Sequence, residues 1–252
     1  MIERFWLTEA RMERLRPFFP KSRGKARVDD RRVLSGIIHL QRNGLMWKDA
    51  PREYGPHKTL YNRWVRWGRM GVFATIMTEL ATQGQDAEMV MIDATHLKAH
   101  RTASSMAVQK GGRGRLIGRT KGGLNSKLHV LADAKGRPIQ MFLSAGQTSD
   151  YLGARALLSS IPEAGALLAD RGYDADWFRK ALIDMGMSAC IPSRSGRREP
   201  IPHDTDLYRK RHRIENTFAR LKDWRRIATR YDRCPILFLS ACALAATVIY
   251  CL

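Results

Sequence analysis

Two short apolar runs in the second half of this chain each end directly in an aspartate. Met-Val-Met-Ile leads into Asp93, and Gly-Ala-Leu-Leu-Ala leads into Asp170. Short apolar runs bounded by polar residues are typical of strands buried in a sheet. Open α/β sheets place their ligands at the carboxyl ends of such strands. The pattern therefore predicts a sheet that brings Asp93 and Asp170 together if their strands are neighbours.

The same patterning predicts the rest of an α/β domain over residues 86–252. Five strands are expected, at residues 89–93, 128–132, 138–143, 165–169 and 187–191. Asp133 to Gly136 has the composition of a hairpin turn between the second and third of them. Helices are expected between the later strands. The prediction is a mixed five-stranded sheet flanked by helices.

Residues 1–85 have a helical pattern without strands, so a domain boundary is predicted near residue 85. A helix from His57 to Arg69 buries Leu60, Trp64 and Trp67 on one side. Helix, Gly/Pro-containing turn and basic helix form the layout of a helix-turn-helix DNA reader. The alternative is a small helical bundle with a solvated basic face. The candidate DNA-contacting residues of this helix are Lys58, Asn62, Arg63 and Arg66.

Net charge indicates a polyanionic partner. The chain has 252 residues, a formal charge of +20 and a pI of about 10.5, which favours nucleic acid. The Gly-rich basic segment 109–123 is expected to be a loop that contacts DNA phosphates, and a disordered linker is the alternative. Its candidate contacts are Arg113, Arg115, Arg119 and Lys121.

Cysteine usage and hydropathy indicate a cytoplasmic protein without a membrane span. The four cysteines form no Cys-x-x-Cys pair and stand in apolar surroundings, as reduced core thiols do. The N-terminus lacks the apolar region of a signal peptide. Ile236–Leu252 is uncharged but at the short edge for a membrane span, so a buried helix is predicted.

A third carboxylate, Glu215, stands in the strongly basic stretch Tyr208–Lys222. This stretch predicts one helix, capped by Asp206, with Ile214, Phe218 and Leu221 facing the core. Tyr208, Arg211, Glu215 and Lys222 would share a second stripe beside the apolar one. The alternative is a solvated basic helix whose glutamate pairs with cations three and four residues away.

Three clustered carboxylates would repel one another unless a cation held them. Oxygen ligands and a phosphate substrate select Mg²⁺ or Mn²⁺. Two such ions about 4 Å apart would serve an in-line displacement at phosphorus. A zinc site built from Asp93, His96 and His100 is the weaker alternative, because no third strong ligand follows at the usual spacing.

These motifs together resemble a known family over essentially the whole chain. They are Met91-Ile-Asp-Ala-Thr95, Lys121-Gly-Gly-Leu-Asn-Ser-Lys127, Ala169-Asp-Arg-Gly-Tyr-Asp174, the Tyr-2-Arg-3-Glu-6-Lys pattern at 208–222, and Gly44-Leu-Met-Trp-Lys-Asp-Ala-Pro51. The chain resembles insertion-sequence transposases of the IS-five type, which have an Asp-Asp-Glu active site on an RNase H-like fold. The resemblance implies that Asp93, Asp170 and Glu215 are catalytic metal ligands. It also implies that Tyr208, Arg211 and Lys222 contact DNA.

The resulting functional hypothesis is an enzyme that binds the terminal inverted repeats of its own element. It would cleave a phosphodiester bond, expose a 3′-OH and join that end to target DNA. Synapsis of two ends suggests a homo-oligomer. The alternatives are an RNase H-like nuclease without strand transfer, and a DNA-binding repressor that is a remnant of a transposase.

Overall fold

A computed structural model describes residues 3–21, 29–83, 88–104 and 114–252. Its first part consists of helices whose ends follow local sequence signals. Helix α1 spans Glu9–Leu15, and the Thr8 side chain caps it by accepting a hydrogen bond from the Arg11 amide. Helix α2 spans Asp30–Asn43 and ends at Gly44, whose φ of 74° suits a glycine. Helices α3, His57–Arg69, and α4, Val72–Thr82, follow.

The connection between α2 and α3 is longer than the three- or four-residue turn of a typical helix-turn-helix. It contains two short 3₁₀ turns, Trp47–Asp49 and Arg52–Tyr54. The predicted start of α3 at His57 and its buried side, with Leu60, Trp64 and Trp67, are confirmed. The helix-turn-helix interpretation itself stays a prediction.

The sheet contains seven strands within the described residues. They are β1 Met89–Ala99, β2 Gly118–Thr120, β3 Gly123–Asp133, β4 Pro138–Ala145, β5 Ala166–Leu168, β6 Ser188–Cys190 and β7 Thr229–Arg230. The five main strands lie in the order β4-β3-β1-β5-β6. β1, β3 and β4 pair antiparallel, while β5 and β6 run parallel to β1. The predicted mixed sheet of five strands is confirmed, with two short strands added.

One strand prediction and one loop prediction are wrong in extent. β1 does not end at Asp93 but continues to Ala99, because β3 pairs along its whole length. What ends before Asp93 is the pairing of β1 with β5. The basic segment 109–123 is not a loop throughout, because β2 and the start of β3 form a hairpin at its end. Residues 109–113 lie outside the described residues.

The two faces of the sheet are covered by different helices. The later helices are α5 Arg101–Ser104, α6 Asp150–Leu157, α7 Asp176–Asp184, α8 Thr205–Arg209, α9 His212–Lys222, α10 Arg225–Ala228 and α11 Pro235–Tyr250. Side chains alternate between the faces of a strand. Met91 accordingly joins a large core with α2, α3, α9 and α11, whereas Ile92 joins a smaller core with α6 and α7.

The C-terminal uncharged run forms α11, and most of its side chains are buried. It packs against α4 and α3, and also against β4. Among the residues that the structure describes, no helix is long and apolar enough to cross a membrane. The large core runs from the N-terminal helices to the sheet without interruption. The division near residue 85 stays a prediction about how the chain is organised.

The stretch predicted as a single helix from Tyr208 to Lys222 is two helices, α8 and α9, separated at Lys210 and Arg211. The predicted cap is also wrong. Asp204, not Asp206, accepts hydrogen bonds from the first amides of α8. Ile214, Phe218 and Leu221 are buried as predicted. The break makes Arg211 the residue that immediately precedes α9.

Candidate active site

Asp93 and Asp170 stand at the same level of two neighbouring parallel strands. Met91 of β1 pairs with Leu168 of β5, and each aspartate follows two residues later. Asp93 is only 8% exposed, and its Oδ1 accepts a hydrogen bond from the Ala94 amide at 2.8 Å. Burial raises the pKa of Asp93 to about 6, and the nearby carboxylates of Asp170 and Asp150 raise it further while Arg211 and the Ala94 amide lower it. This is a carboxylate whose charge is poorly compensated.

Asp170 begins a tight 3₁₀ turn, Arg171–Tyr173, directly after β5. Its Oδ1 accepts a hydrogen bond from the Gly172 amide at 2.8 Å. A side chain at Gly172 would crowd the site, because its Cβ would stand 2.9 Å from Asp170 Oδ1 and 3.2 Å from Asp150 Oδ2. The turn therefore fixes the Asp170 carboxylate close to the end of the strand.

Helix α9 brings Glu215 toward the aspartates through the guanidinium of Arg211. Arg211 Nη1 lies 2.7 Å from Glu215 Oε1, and Arg211 Nη2 lies 3.4 Å from Asp93 Oδ2. The Arg211 side chain is 12% exposed and that of Glu215 is 60% exposed. Arg211 thus supplies the positive charge between these two carboxylates.

The other two residues of the 208–222 pattern lie on either side of this pair. Lys222 Nζ donates to Thr95 Oγ1 of β1 at 2.7 Å. The Arg211 guanidinium lies 5.9 Å from the ring centre of Tyr208. Burial raises the pKa of Tyr208, which keeps the phenol protonated. Cationic and hydroxyl donors therefore flank the carboxylates on the α9 side of β1.

Across the described parts of the chain, no three His, Cys, Asp or Glu side chains converge closely enough to hold a metal ion. At Glu215, the Arg211 guanidinium stands between this carboxylate and Asp93. The zinc alternative has no support in the geometry. His96 Nε2 donates to the Gly146 carbonyl at 2.9 Å, and His100 Nδ1 lies 3.0 Å from Thr102 Oγ1.

The residues present do fit a hard cation. Asp93 and Asp170 offer carboxylate oxygens from adjacent strands, and oxygen donors suit Mg²⁺ and Mn²⁺. The raised pKa of Asp93, caused first by burial and then by neighbouring carboxylates, marks a place where added positive charge is favourable. A cation there would supply positive charge that Arg211 now supplies only in part.

The candidate DNA-contacting residues of α3 divide into two groups. Lys58, Asn62 and Arg66 are exposed. Arg63 is not turned outward as predicted. Its Nη1 lies 3.0 Å from Asp30 Oδ1 at the start of α2, and its guanidinium lies over the Trp67 ring at 5.6 Å. The charge of Arg63 is therefore engaged within the helical region.

The basic candidates between β1 and β3 lie away from the carboxylates. Arg119 on β2 and Lys121 in the following turn are exposed, and Arg115 donates to the Ala103 carbonyl at 3.3 Å. β2 pairs with β3 at residues 123–125, whereas Asp93 pairs with Val130. Five residues of strand correspond to about 17 Å. Arg113 lies outside the described residues.

One pair of site residues was missed at the sequence level. Lys127 Nζ lies 2.7 Å from Asp150 Oδ1. The Lys127 within the quoted Lys121–Lys127 motif was an available signal, but nothing local connects it with a carboxylate 23 residues later.

Comparisons with known proteins match both parts of the chain to transposases. Residues 84–246 match the family model described as transposase DDE domain, and residues 7–77 match the model described as putative transposase of IS4/5 family. A putative transposase for insertion sequence element IS6501 from Brucella ovis is 35% identical over 129 residues, which are 50% of this chain and 98% of that protein.

A second relative and a solved structure extend the comparison. A putative transposase for insertion sequence element IS402 from Burkholderia cepacia is 31% identical over 119 residues, covering 43% of this chain and 54% of that protein. The piggyBac transposase, solved as a synaptic complex with hairpin DNA, aligns with a TM-score of 0.51 at 10% identity, over 94% of this chain and 68% of that chain. The likeness concerns the fold alone. The mixed sheet with flanking helices fits an RNase H-like fold.

Proposed function

The chain belongs to the family of transposases with a DDE domain, and from that premise we propose that Asp93, Asp170 and Glu215 are its catalytic carboxylates. A transposase cleaves DNA and transfers the cut strand to a new site. The observation that carries the assignment is the pairing of β1 with β5, which puts Asp93 and Asp170 side by side. Helix α9 adds Glu215 through Arg211, which contacts both Glu215 and Asp93.

DDE transposases depend on a divalent metal ion. In this chain Asp93, Asp170 and Glu215 would hold two Mg²⁺ or Mn²⁺ ions. When bound, these ions would activate the attacking oxygen and stabilise the leaving oxygen of an in-line displacement. Opening of its ion pair with Arg211 would free Glu215 Oε1 to act as a ligand.

The protein's own cations complete the chemistry. Arg211, Lys222 and Tyr208 present charge-assisted or hydroxyl donors beside the carboxylates, which suits the phosphate oxygens of a DNA end. A phosphate near Arg211 would compete with Glu215 for the guanidinium. Binding of DNA and release of Glu215 would then be coupled, so that the carboxylates assemble on the substrate.

The remaining surfaces suit recognition of double-stranded DNA. We assign recognition of the terminal inverted repeats to residues 1–85, with α3 as the reading helix and Lys58, Asn62 and Arg66 as its contacts. Residues 86–252 would form the catalytic domain, which also binds target DNA. Arg115, Arg119 and Lys121 of this domain would contact that DNA. Synapsis of two ends would use a homo-oligomer, and the protein would act on DNA in the bacterial cytoplasm.

The test is metal-dependent cleavage and joining of labelled DNA that carries the element's terminal repeats. Asp93→Asn, Asp170→Asn and Glu215→Gln should each lower the rate by at least about 100-fold, since losing even an outer-shell partner of a metal costs up to that. The matched control is Glu163→Gln at an exposed position, which should retain wild-type activity.

The products separate the remaining possibilities. Joining by the wild type and not by the three variants supports the assignment. Hydrolysis without joining would favour a nuclease, and DNA binding with neither activity would favour a repressor. Full activity in any one of the three variants would remove that residue from the catalytic set.

A further inference from the structure

A fourth carboxylate approaches the site from the opposite face of the sheet. Asp150, the first residue of α6, places Oδ1 2.7 Å from Lys127 Nζ on β3. Lys127 also donates to the Thr148 carbonyl at 3.2 Å. The Lys127 side chain is 10% exposed and that of Asp150 is 26% exposed, so the pair is largely enclosed. Lys127 therefore fixes one oxygen of Asp150 and leaves the other, Oδ2, for a different partner.

The second oxygen of Asp150 borders the same space as the Asp170 carboxylate. Asp150 Oδ2 and Asp170 Oδ1 both border the space above Gly172, at 3.2 Å and 2.9 Å from where its Cβ would stand. Within the described residues, no hydrogen bond reaches Asp150 Oδ2. A glycine at this position keeps the space between the two carboxylates open.

Tyr173 supplies an independent sign that something polar is bound there. Its side chain is fully buried, yet its hydroxyl has no hydrogen-bond partner among the residues described. Buried hydroxyls are normally satisfied, because an unsatisfied one costs free energy. Asp150, Asp93 and Asp170 are the carboxylates that act on this hydroxyl. The unpartnered hydroxyl is thus within electrostatic reach of the same three carboxylates.

A purely structural account explains only part of these observations. A carboxylate at the first residue of a helix interacts favourably with the helix dipole, and an enclosed ion pair with Lys127 can fix α6 to β3. Neither effect uses Asp150 Oδ2, the open space over Gly172 or the Tyr173 hydroxyl. All three are accounted for by a hydrated cation on the Asp170 side of the site.

We propose that Asp150, anchored by Lys127, is a positioning residue of the metal centre, whose free oxygen accepts a hydrogen bond from water bound to the cation beside Asp170. The Tyr173 hydroxyl oxygen is the second acceptor for the protons of that water. Lys127 balances part of the local negative charge beside Asp170. The inference rests on the proposed function, because it requires a cation at Asp93 and Asp170.

Mn²⁺ binding to the whole chain without DNA tests this directly. It is measured by calorimetry or by the loss of the electron paramagnetic resonance signal of free Mn²⁺. Asp150→Asn should weaken Mn²⁺ affinity by about 10- to 100-fold, as removal of outer-shell partners does. The matched control is Asp184→Asn, which breaks the exposed Lys180–Asp184 pair away from the site and should leave the affinity unchanged.

Tyr173→Phe is a second variant, which tests the proposal if Asp150→Asn fails to fold. It removes a hydroxyl with no partner among the described residues, so a structural role predicts no loss of stability. The proposal predicts Mn²⁺ affinity weakened by about 2- to 10-fold, the effect of one hydrogen bond. Wild-type affinity in folded Tyr173→Phe and Asp150→Asn would overturn the proposal.

The same titration separates failure of this inference from failure of the proposed function. If Asp93→Asn and Asp170→Asn abolish Mn²⁺ binding while Asp150→Asn does not weaken it, the inference falls and the catalytic carboxylates stand. If Asp93→Asn and Asp170→Asn bind Mn²⁺ as the wild type does, the proposed metal site itself is wrong. A lowered melting temperature with unchanged affinity in Asp150→Asn would identify a structural ion pair only.

Discussion

At the scale of single residues, Arg211 controls the charge at the centre of the site. Its guanidinium contacts Asp93 Oδ2 at 3.4 Å and Glu215 Oε1 at 2.7 Å. Desolvation lowers the pKa of this arginine, but the carboxylates outweigh it and the net pKa is raised, so the guanidinium stays charged. A divalent cation and Arg211 would compete for the same carboxylates.

Removing that competitor should strengthen metal binding and weaken catalysis. Arg211→Met is expected to raise Mn²⁺ affinity without DNA by about fivefold. The reason is that repulsion between two like unit charges about 4 Å apart costs about 1 kcal/mol even in water. Cleavage of the DNA end should nevertheless fall, since a phosphate contact is lost. Mn²⁺ titration and a cleavage assay on the same preparation measure both effects.

Arg220→Met is the matched control, because Arg220 lies on the far side of α9, over the Tyr250 ring at 5.6 Å. It should change neither Mn²⁺ affinity nor the cleavage rate per bound complex by a comparable factor. Weaker Mn²⁺ binding in Arg211→Met would show that Arg211 supports the metal site instead of competing with the metal.

At the scale of elements, the site depends on how closely α6 approaches β3. A Cβ on Gly153 of α6 would stand 2.0 Å from His129 Nδ1, so only a glycine permits this contact. His129 is fully buried, and its Nε2 lies 2.9 Å from Ser144 Oγ on β4. Burial, together with the positive charge of Lys127, lowers the pKa of His129 from 6.5 to about 4. The folded protein therefore holds this imidazole neutral beneath α6.

This burial predicts an acid sensitivity of the α6–β3 packing. Between pH 6.5 and 4 the unfolded chain binds a proton at His129 that the folded chain excludes, so the free energy of unfolding falls as pH falls through this window. For this one group the loss amounts to about 3 kcal/mol. His129→Asn should lack this contribution, which is measured as a flatter pH profile in urea unfolding.

Phe142→Leu is the control for altered packing, because its ring lies 5.7 Å from that of His129 and does not titrate. It should lower the free energy of unfolding by a similar amount at both ends of the window and keep the wild-type slope. Identical slopes in wild type and His129→Asn would contradict the prediction.

At the scale of the whole molecule, the net charge of +20 predicts that attraction to phosphates provides much of the affinity for DNA. Proteins that neutralise six or more phosphates lose roughly 10³-fold or more in affinity between about 50 and 200 mM salt. We expect a decrease of this size for end-containing DNA, measured by fluorescence anisotropy over a salt series. A flat dependence would argue against phosphate contacts as the basis of binding.

Two variants of α3 test which of its cations contact DNA phosphates. Lys58→Gln removes an exposed cation and should reduce the slope of log affinity against log salt by about 1. Arg63→Gln removes a cation that is engaged with Asp30 and should leave the slope unchanged. Equal effects of the two variants would mean that α3 does not face DNA as proposed.

The sequence by itself determined the features that depend on local pattern. Apolar runs and turn composition sufficed for the five main strands, the start of α3 and the buried residues of α9, because each reflects a pattern within a few residues. The spacing within 208–222 and the acids after two strands were sufficient to nominate Asp93, Asp170 and Glu215. Family membership followed from the same motifs.

Only the tertiary structure decided which charges meet. Lys127 pairs with Asp150, Arg63 with Asp30, and Arg211 with Asp93 over separations that no helical or strand period encodes. The Arg211–Glu215 pair, by contrast, joins residues four apart, as the helical period allows. The break between α8 and α9 and the extension of β1 to Ala99 likewise arise from packing and from pairing with distant strands. The physical reason is that local propensity sets what a segment forms, whereas burial of side chains against distant segments sets where each charge finds its partner.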